Sequence, residues 1–218
     1  MASRTTNSFA FMLQNRLVNS FGAEAAAAYA IGFTIMDLVD GMLWGFIGAI
    51  SIMVGQALGA ELLDRARRIA KTSIALLGGF MATGTAVLYL VYPYFVALFT
   101  AEPRIFALAA QFIEMFAATL PFFGLYFVAE AVGMGYGHTL VPTSIAFIRL
   151  WGVRLGLGYL LAFVVGLGIF GVWLSMALGN VVGGLLGAAW ILRGGWTRPI
   201  VRGRRPRLVT SIVRGRNS

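Results

Sequence analysis

The chain has 218 residues, of which 59% are hydrophobic and 11% charged, with a formal net charge of +9 and a mean hydropathy of +0.84. Soluble domains are nearer half apolar and about a quarter charged, so ordinary globular and disordered classes are excluded. The absence of cysteine and the single histidine, His138, also remove disulfide scaffolds, thiolate nucleophiles and Cys- or His-built metal centres.

What remains is an all-α integral membrane protein. A crossing takes about 20 helical residues, and charge-free runs with the breaks between them predict a bundle of six transmembrane helices, at about 5–21, 24–58, 67–98, 103–136, 141–165 and 170–193. The first is short for a span and polar, carrying Asn7, Gln14, Asn15, Arg16 and Asn19. Such a stripe faces a cleft in a carrier, or marks a helix that packs on a missing neighbour if the chain is a fragment. Pro121 is expected to kink the fourth helix. Residues 155–192 carry no charge and exceed one span, and Gly166-Leu167-Gly168-Ile169-Phe170-Gly171 supplies the break.

The connections set the orientation. A basic loop, Gly59 to Arg68 followed by Lys71, is expected between the second and third helices, and residues 193–218 hold eight arginines and no acid. Lys and Arg collect on the cytoplasmic side, which places this loop, the 4–5 loop and both termini inside. The expected organisation is a six-helix lobe over residues 1–197 and a basic, disordered cytoplasmic tail over 198–218. The basic stretch 193–218 has one aromatic, Trp196, and no stacking series, so anionic lipid headgroups suit it and nucleic acid does not. No cleavable signal peptide and no internal repeat are evident.

Ionisable residues at membrane depth each need a reason, because one charge near the bilayer centre costs about 2.5–3.5 kcal/mol. Asp37 and Asp40 stand three apart on one face of the second helix. Two carboxylates that close repel, which suits them to holding a proton, a sodium ion or a cationic substrate; the structural alternative is a bond to a neighbouring helix or to Arg16. Glu130 and Arg149 match in depth on adjacent helices and are expected to form a buried ion pair, with Arg154 the other possible partner. Glu114 is either a further ion or substrate group or a satisfied polar residue facing protein. Gln14 and Asn15 are cleft-lining candidates, and Phe9, Phe11, Phe33, Trp44, Phe46 and Tyr126 are candidate walls for planar cations. Met12, Met36, Met42 and Met53 suit an adaptable pocket or core filling. His138 is expected to be a solvated loop residue. The spacings Gly41-xxx-Gly45, Gly152-xxx-Gly156, Gly179-xxx-Gly183 and Gly183-xxx-Gly187 offer close-packing faces, mostly within the lobe.

The series Phe21-Gly22-Ala23-Glu24, Val54-Gly55-Gln56-Ala57-Leu58-Gly59-Ala60 followed by Asp64-Arg65-Ala66-Arg67-Arg68, Leu98-Phe99-Thr100, Leu120-Pro121-Phe122, Gly135-Tyr136-Gly137-His138-Thr139 and Gly171-Val172-Trp173 resembles one six-helix lobe, the carboxy-terminal-like half, of the multidrug and toxic compound extrusion (MATE) family. That resemblance implies two six-helix lobes around an alternating cleft, no cofactor, and export of organic cations from the plasma membrane driven by protons or sodium. It also implies a second lobe, either another copy in a homodimer or a different chain. Where some family members carry an acidic residue in this lobe's fourth helix, this chain has Phe123, so that carboxylate is not carried over. Two other readings stay open: a flippase for lipid-linked oligosaccharides in the same superfamily, and a non-transporting scaffold or truncated inactive lobe. No HExxH, GxSxG or Cys/His nucleophile pair points to an enzyme.

Overall fold

The computed structural model describes residues 2–137 and 139–197, with side chains from Ser8 onward. His138 and the tail expected over 198–218 lie outside the described residues. The elements are α1 (Ala2–Asn19), α2 (Ala23–Gly59), α3 (Leu63–Phe99), α4 (Pro103–Ala117), α5 (Leu120–Tyr136), α6 (Leu140–Val164), α7 (Ile169–Arg193) and a short 3-10 turn (Gly195–Thr197). Among the described residues there is no strand. Four helices (α2, α3, α6 and α7) are long and apolar enough to cross a membrane, and α4 with α5 makes a fifth span bent by 54°. The six expected helices are all present among the described residues, α4 and α5 together making one, and α1, of 18 residues, is the one too polar to meet the same standard.

Three expectations change in the folded chain. The basic loop Gly59–Arg68 shrinks to Ala60-Glu61-Leu62, and Arg65, Arg67, Arg68 and Lys71 ride on the first turns of α3. Both α2 and α3 have 37 residues, about 55 Å at 1.5 Å per residue, against a hydrocarbon core of about 30 Å. A membrane helix can therefore run on into the headgroups carrying its charges.

The single helix expected over 103–136 is broken at Ala118–Thr119, just ahead of Pro121. Proline lacks the N–H that would have bonded the carbonyl of Ala117, four residues back. Thr85 on α3 takes that role, its Oγ1 donating to Ala117 O at 3.0 Å. Asn180 Nδ2 on α7 donates to Thr119 Oγ1 at 3.1 Å, which holds the bend from the other side.

The helix over 140–164 begins as an ordinary α-helix, but Ile148–Leu157 and Leu160–Val164 are wound as π-helix. It ends at the predicted glycine break, where Gly166 (φ 81) and Gly168 (φ 60) occupy the left-handed region that side-chain-bearing residues avoid.

The buried centre is α5, which packs against α2, α3 and α7. Its approach to α2 is glycine on glycine: a Cβ on Gly55 would stand 2.8 Å from Gly135 O, and one on Gly135 2.6 Å from Ser51 O. At one end of the bundle Arg104 Nε on α4 meets Glu24 Oε2 on α2 at 2.8 Å. The opposite end is basic and gathers Arg67, Lys71 and Arg193. There Trp196 folds back, buried, with its indole N–H donating to Ile191 O at 3.0 Å. The perimeter exposes large apolar side chains such as Leu90, Leu98, Leu140 and Val164. That is a surface for lipid rather than water, and the chain is a multi-pass membrane protein.

Candidate functional site

Half way along α2, one helical face presents Phe33, Met36, Asp37, Asp40 and Trp44 at intervals of three or four residues. Opposite it, Phe116, Leu120, Phe123, Phe127 and Glu130 keep the same interval across the α4–α5 bend. Between these two faces lies a pocket of about 410 Å³, closed at its base by Tyr126, Arg149 and Arg154 and flanked by Phe11 of α1. Asp37 is exposed at the pocket's open side, Asp40 and Glu130 are half-buried within it, and both arginines are buried. Neither aspartate pairs with Arg16, since the one ion pair among the described residues is Arg104–Glu24.

The expected Glu130–Arg149 ion pair does not form, and Arg154 does not replace Arg149 in it. The three groups share the pocket, and Arg149 lies within electrostatic reach of both Glu130 and Asp40, but both guanidinium groups lie over aromatic rings. Arg149 Cζ stands 4.3 Å from the Tyr126 ring centre and 5.1 Å from that of Phe123. Arg154 Cζ lies 5.8 Å from Phe11 and 5.9 Å from Phe116. Such cation–π contacts are favoured where water is excluded.

Two features of the chain seat these arginines. In an α-helix, residues five apart point about 140° away from each other. The π winding of Ile148–Leu157 bonds residue i to i+5 and so brings Arg149 and Arg154 toward one face. Their aliphatic stems then lie on glycines of α7. A Cβ on Gly179 would stand 2.9 Å from Arg154 Cγ, and one on Gly183 2.8 Å from Arg149 Cδ. Ser175 Oγ donates to Arg154 O at 3.1 Å, tying the wound segment to α7.

Of the residues singled out in the sequence, Asp37, Asp40, Glu130, Arg149 and Arg154 meet here with Phe11, Phe33, Met36, Trp44 and Tyr126. Glu114 lies elsewhere: its carboxylate accepts from Tyr92 OH, and its main-chain oxygen accepts from Tyr89 OH at 2.5 Å. Gln14 is buried on α1 and Asn15 is exposed, and neither lines the pocket. Phe9 stacks on Trp151, and Phe46 packs with Phe80 beside a separate groove. That groove, about 740 Å³ between α2 and α3, is larger but almost wholly apolar. Arg65 and Arg68 are the charged residues among its lining, which includes no carboxylate. Sequence reasoning missed the ring wall Phe116/Phe123/Phe127, although its spacing of seven and four was there to be seen.

Three findings place the chain among known proteins. The MatE family profile matches residues 1–160. A probable multidrug resistance protein NorM of Mesorhizobium japonicum is 32% identical over 193 residues, 86% of this chain and 41% of the relative. The fold matches the Vibrio cholerae MATE transporter VcmN in its bent form with a TM-score of 0.81 at 22% identity, over 89% of this chain and 44% of that one. It matches the MATE transporter ClbM in complex with Rb+ with a TM-score of 0.82 at 19% identity, over 90% and 47%. The chain spans about two fifths of the length of the curated relatives it matches, 38% and 41% for two of them. On the profile match over residues 1–160, the chain belongs to the MATE family.

Proposed function

We propose that this chain is one lobe, carboxy-terminal-like, of a secondary active transporter of the plasma membrane, exporting organic cations by cation-coupled antiport. A second lobe, another copy or a different chain, closes the open side of the pocket. The observation that carries this reading is the pocket itself: Asp37, Asp40 and Glu130 stand among aromatic rings at the middle depth of the bundle. Carboxylates placed there are expensive unless a cation neutralises them. In this reading Asp37 and Asp40 bind either the coupling proton or sodium ion, or the drug. Export follows if the two ligands favour opposite states of the cleft. The Rb+ complex of ClbM supports a monovalent cation site in this fold.

The lobe corresponds to residues 1–197, and its basic end, with the segment 198–218, faces the cytoplasm and its anionic lipids. The multidrug resistance relatives and the solved MATE transporters of the same fold support transport as the activity. The two arginines in the pocket favour a second reading, a flippase for lipid-linked sugars. In that case a lipid-linked sugar phosphate should outcompete a dye cation.

The test uses the purified chain in proteoliposomes, loaded with a fluorescent dye cation, under an imposed proton gradient and then a sodium gradient. Oligomeric mass is measured on the same sample. Gradient-dependent movement is expected, and Asp37→Asn with Asp40→Asn should abolish it while leaving the chain folded. Coupled movement that survives both substitutions would remove the aspartates from the mechanism.

A further inference from the structure

The pocket carries charges of both signs, and the family reading uses only the carboxylates. Arg149 and Arg154 are 8% and 4% exposed. Four of their nitrogens, Arg149 Nε and Nη1 and Arg154 Nε and Nη2, are buried without a hydrogen-bond partner. The ring contacts do not supply one. The guanidinium carbons lie 4.3 and 5.1 Å (Arg149) and 5.8 and 5.9 Å (Arg154) from ring centres, a charge–quadrupole attraction that brings no oxygen or nitrogen acceptor to the N–H groups. Donors left that way are costly, and the two cations also repel one another.

The molecule nevertheless invests in holding them there. The π winding turns both toward one face, and Gly179 and Gly183 of α7 make room for their stems, where any Cβ would collide. Every charged group facing them has been placed: Asp37 and Asp40 on α2 and Glu130 on α5 line the same pocket, and none approaches within ion-pair distance. The pocket therefore presents unbonded guanidinium donors together with carboxylates that have no cation in ion-pair contact. Its volume of about 410 Å³ suits a small organic molecule.

We infer that Arg149 and Arg154 form an anion subsite, so that the preferred substrate is amphoteric: an organic cation that also carries a carboxylate or phosphate. A carboxylate between two guanidinium edges forms charge-assisted hydrogen bonds with the orphaned donors, and its cationic group lies toward Asp37 and Asp40. This inference rests on the pocket being the substrate site, as in the transport reading, and it changes the chemistry of the substrate. A plain lipophilic cation fills only half of the site.

The probes are rhodamine B, whose xanthylium cation bears a free carboxylate, and rhodamine B methyl ester, which has the same cation with that carboxylate masked. Binding of each to the full chain in lipid nanodiscs is read by fluorescence anisotropy with no gradient imposed. The free acid should bind at least about tenfold tighter than the ester, the equivalent of one charge-assisted contact. Arg149→Gln with Arg154→Gln should collapse that ratio toward one, chiefly by weakening the acid. Asp37→Asn with Asp40→Asn should weaken both dyes and leave the ratio in place.

A measurement on the unsubstituted chain guards against a variant that fails to fold: benzoate should displace rhodamine B and leave the ester bound. Equal affinities, a preference for the ester, binding of neither dye, an acid preference that survives loss of both arginines, or equal displacement of both dyes by benzoate would each overturn the proposal. Because no gradient is used, a chain that does not transport still reports on the subsite. Conversely, a chain that moves the ester but shows no acid preference keeps the transport reading and loses this one.

Discussion

Two glycine stripes in this molecule share a sequence pattern and have opposite surroundings. On α7, Gly179, Gly183, Gly184 and Gly187 face inward, and a Cβ on any of them would meet a neighbour at 3.0 Å or less. On α2, Gly41, Gly45 and Gly48 lie on an exposed face, and a Cβ there would meet nothing within 4 Å. The inner stripe lets α7 approach α5 closely and makes space for two arginine stems. The outer stripe is a groove on a lone lobe, beside the open mouth of the pocket where Asp37 is exposed. Small-xxx-small spacing marks close approach in membranes, but the partner differs: one stripe has its neighbour within this chain, and the other has none among the described residues.

Substitutions separate the two stripes. The largest effect is expected at Gly184→Ala, because the new methyl would stand 2.2 Å from Phe122 O, and a main-chain atom in a packed helix cannot yield as a side-chain tip can. Overpacking of this kind costs on the order of 3 kcal/mol, and most of the protein should be lost as aggregate on size-exclusion chromatography after detergent extraction. Gly183→Ala should be milder, about 1 kcal/mol, since the atom it meets is Cδ of the flexible Arg149 stem. Its signature is a loss of the free-acid preference among rhodamine dyes with only a small drop in melting temperature. Smallest for the fold is Gly41→Ala with Gly45→Ala: the lobe's melting temperature should hold or rise, because alanine is the better helix former by up to about 1 kcal/mol per residue. If a second lobe packs on this face, gradient-driven transport should fall nevertheless. Unchanged transport would move the lobe–lobe contact elsewhere.

Much of the architecture was legible because membrane helices are written in long charge-free runs with glycine punctuation. The Gly166–Gly168 break and the end of α7 needed nothing more. Charge misled at Asp64-Arg65-Ala66, which resembled a loop but belongs to a helix long enough to leave the hydrocarbon. Pro121 announced a kink, yet only the fold reveals that Thr85, from a helix far away in sequence, replaces the lost donor. Helical phase placed Asp37 and Asp40 on one face. Matching depths brought Glu130 and Arg149 into one pocket, but depth says nothing of the ring faces of Tyr126 and Phe123 that compete for the guanidinium. Glu114 illustrates the same gap, since its partners Tyr89 and Tyr92 come from the helix before it. The π winding was not read from the sequence, because ordinary helical phase puts Arg149 and Arg154, five apart, on different faces.

That winding has a consequence for how the gene can change. A π segment is an α-helix with a surplus residue accommodated in place, so α6 contains a position whose removal the fold can absorb. Deleting Val153 would set the two arginines four apart, the spacing at which α-helical side chains are neighbours. The segment could then relax to ordinary α-helix with the arginine pair still on one side. Single-residue deletions elsewhere in these spans would rotate everything beyond them out of phase. Within residues 148–157, therefore, a missing codon should be a quieter event than many substitutions.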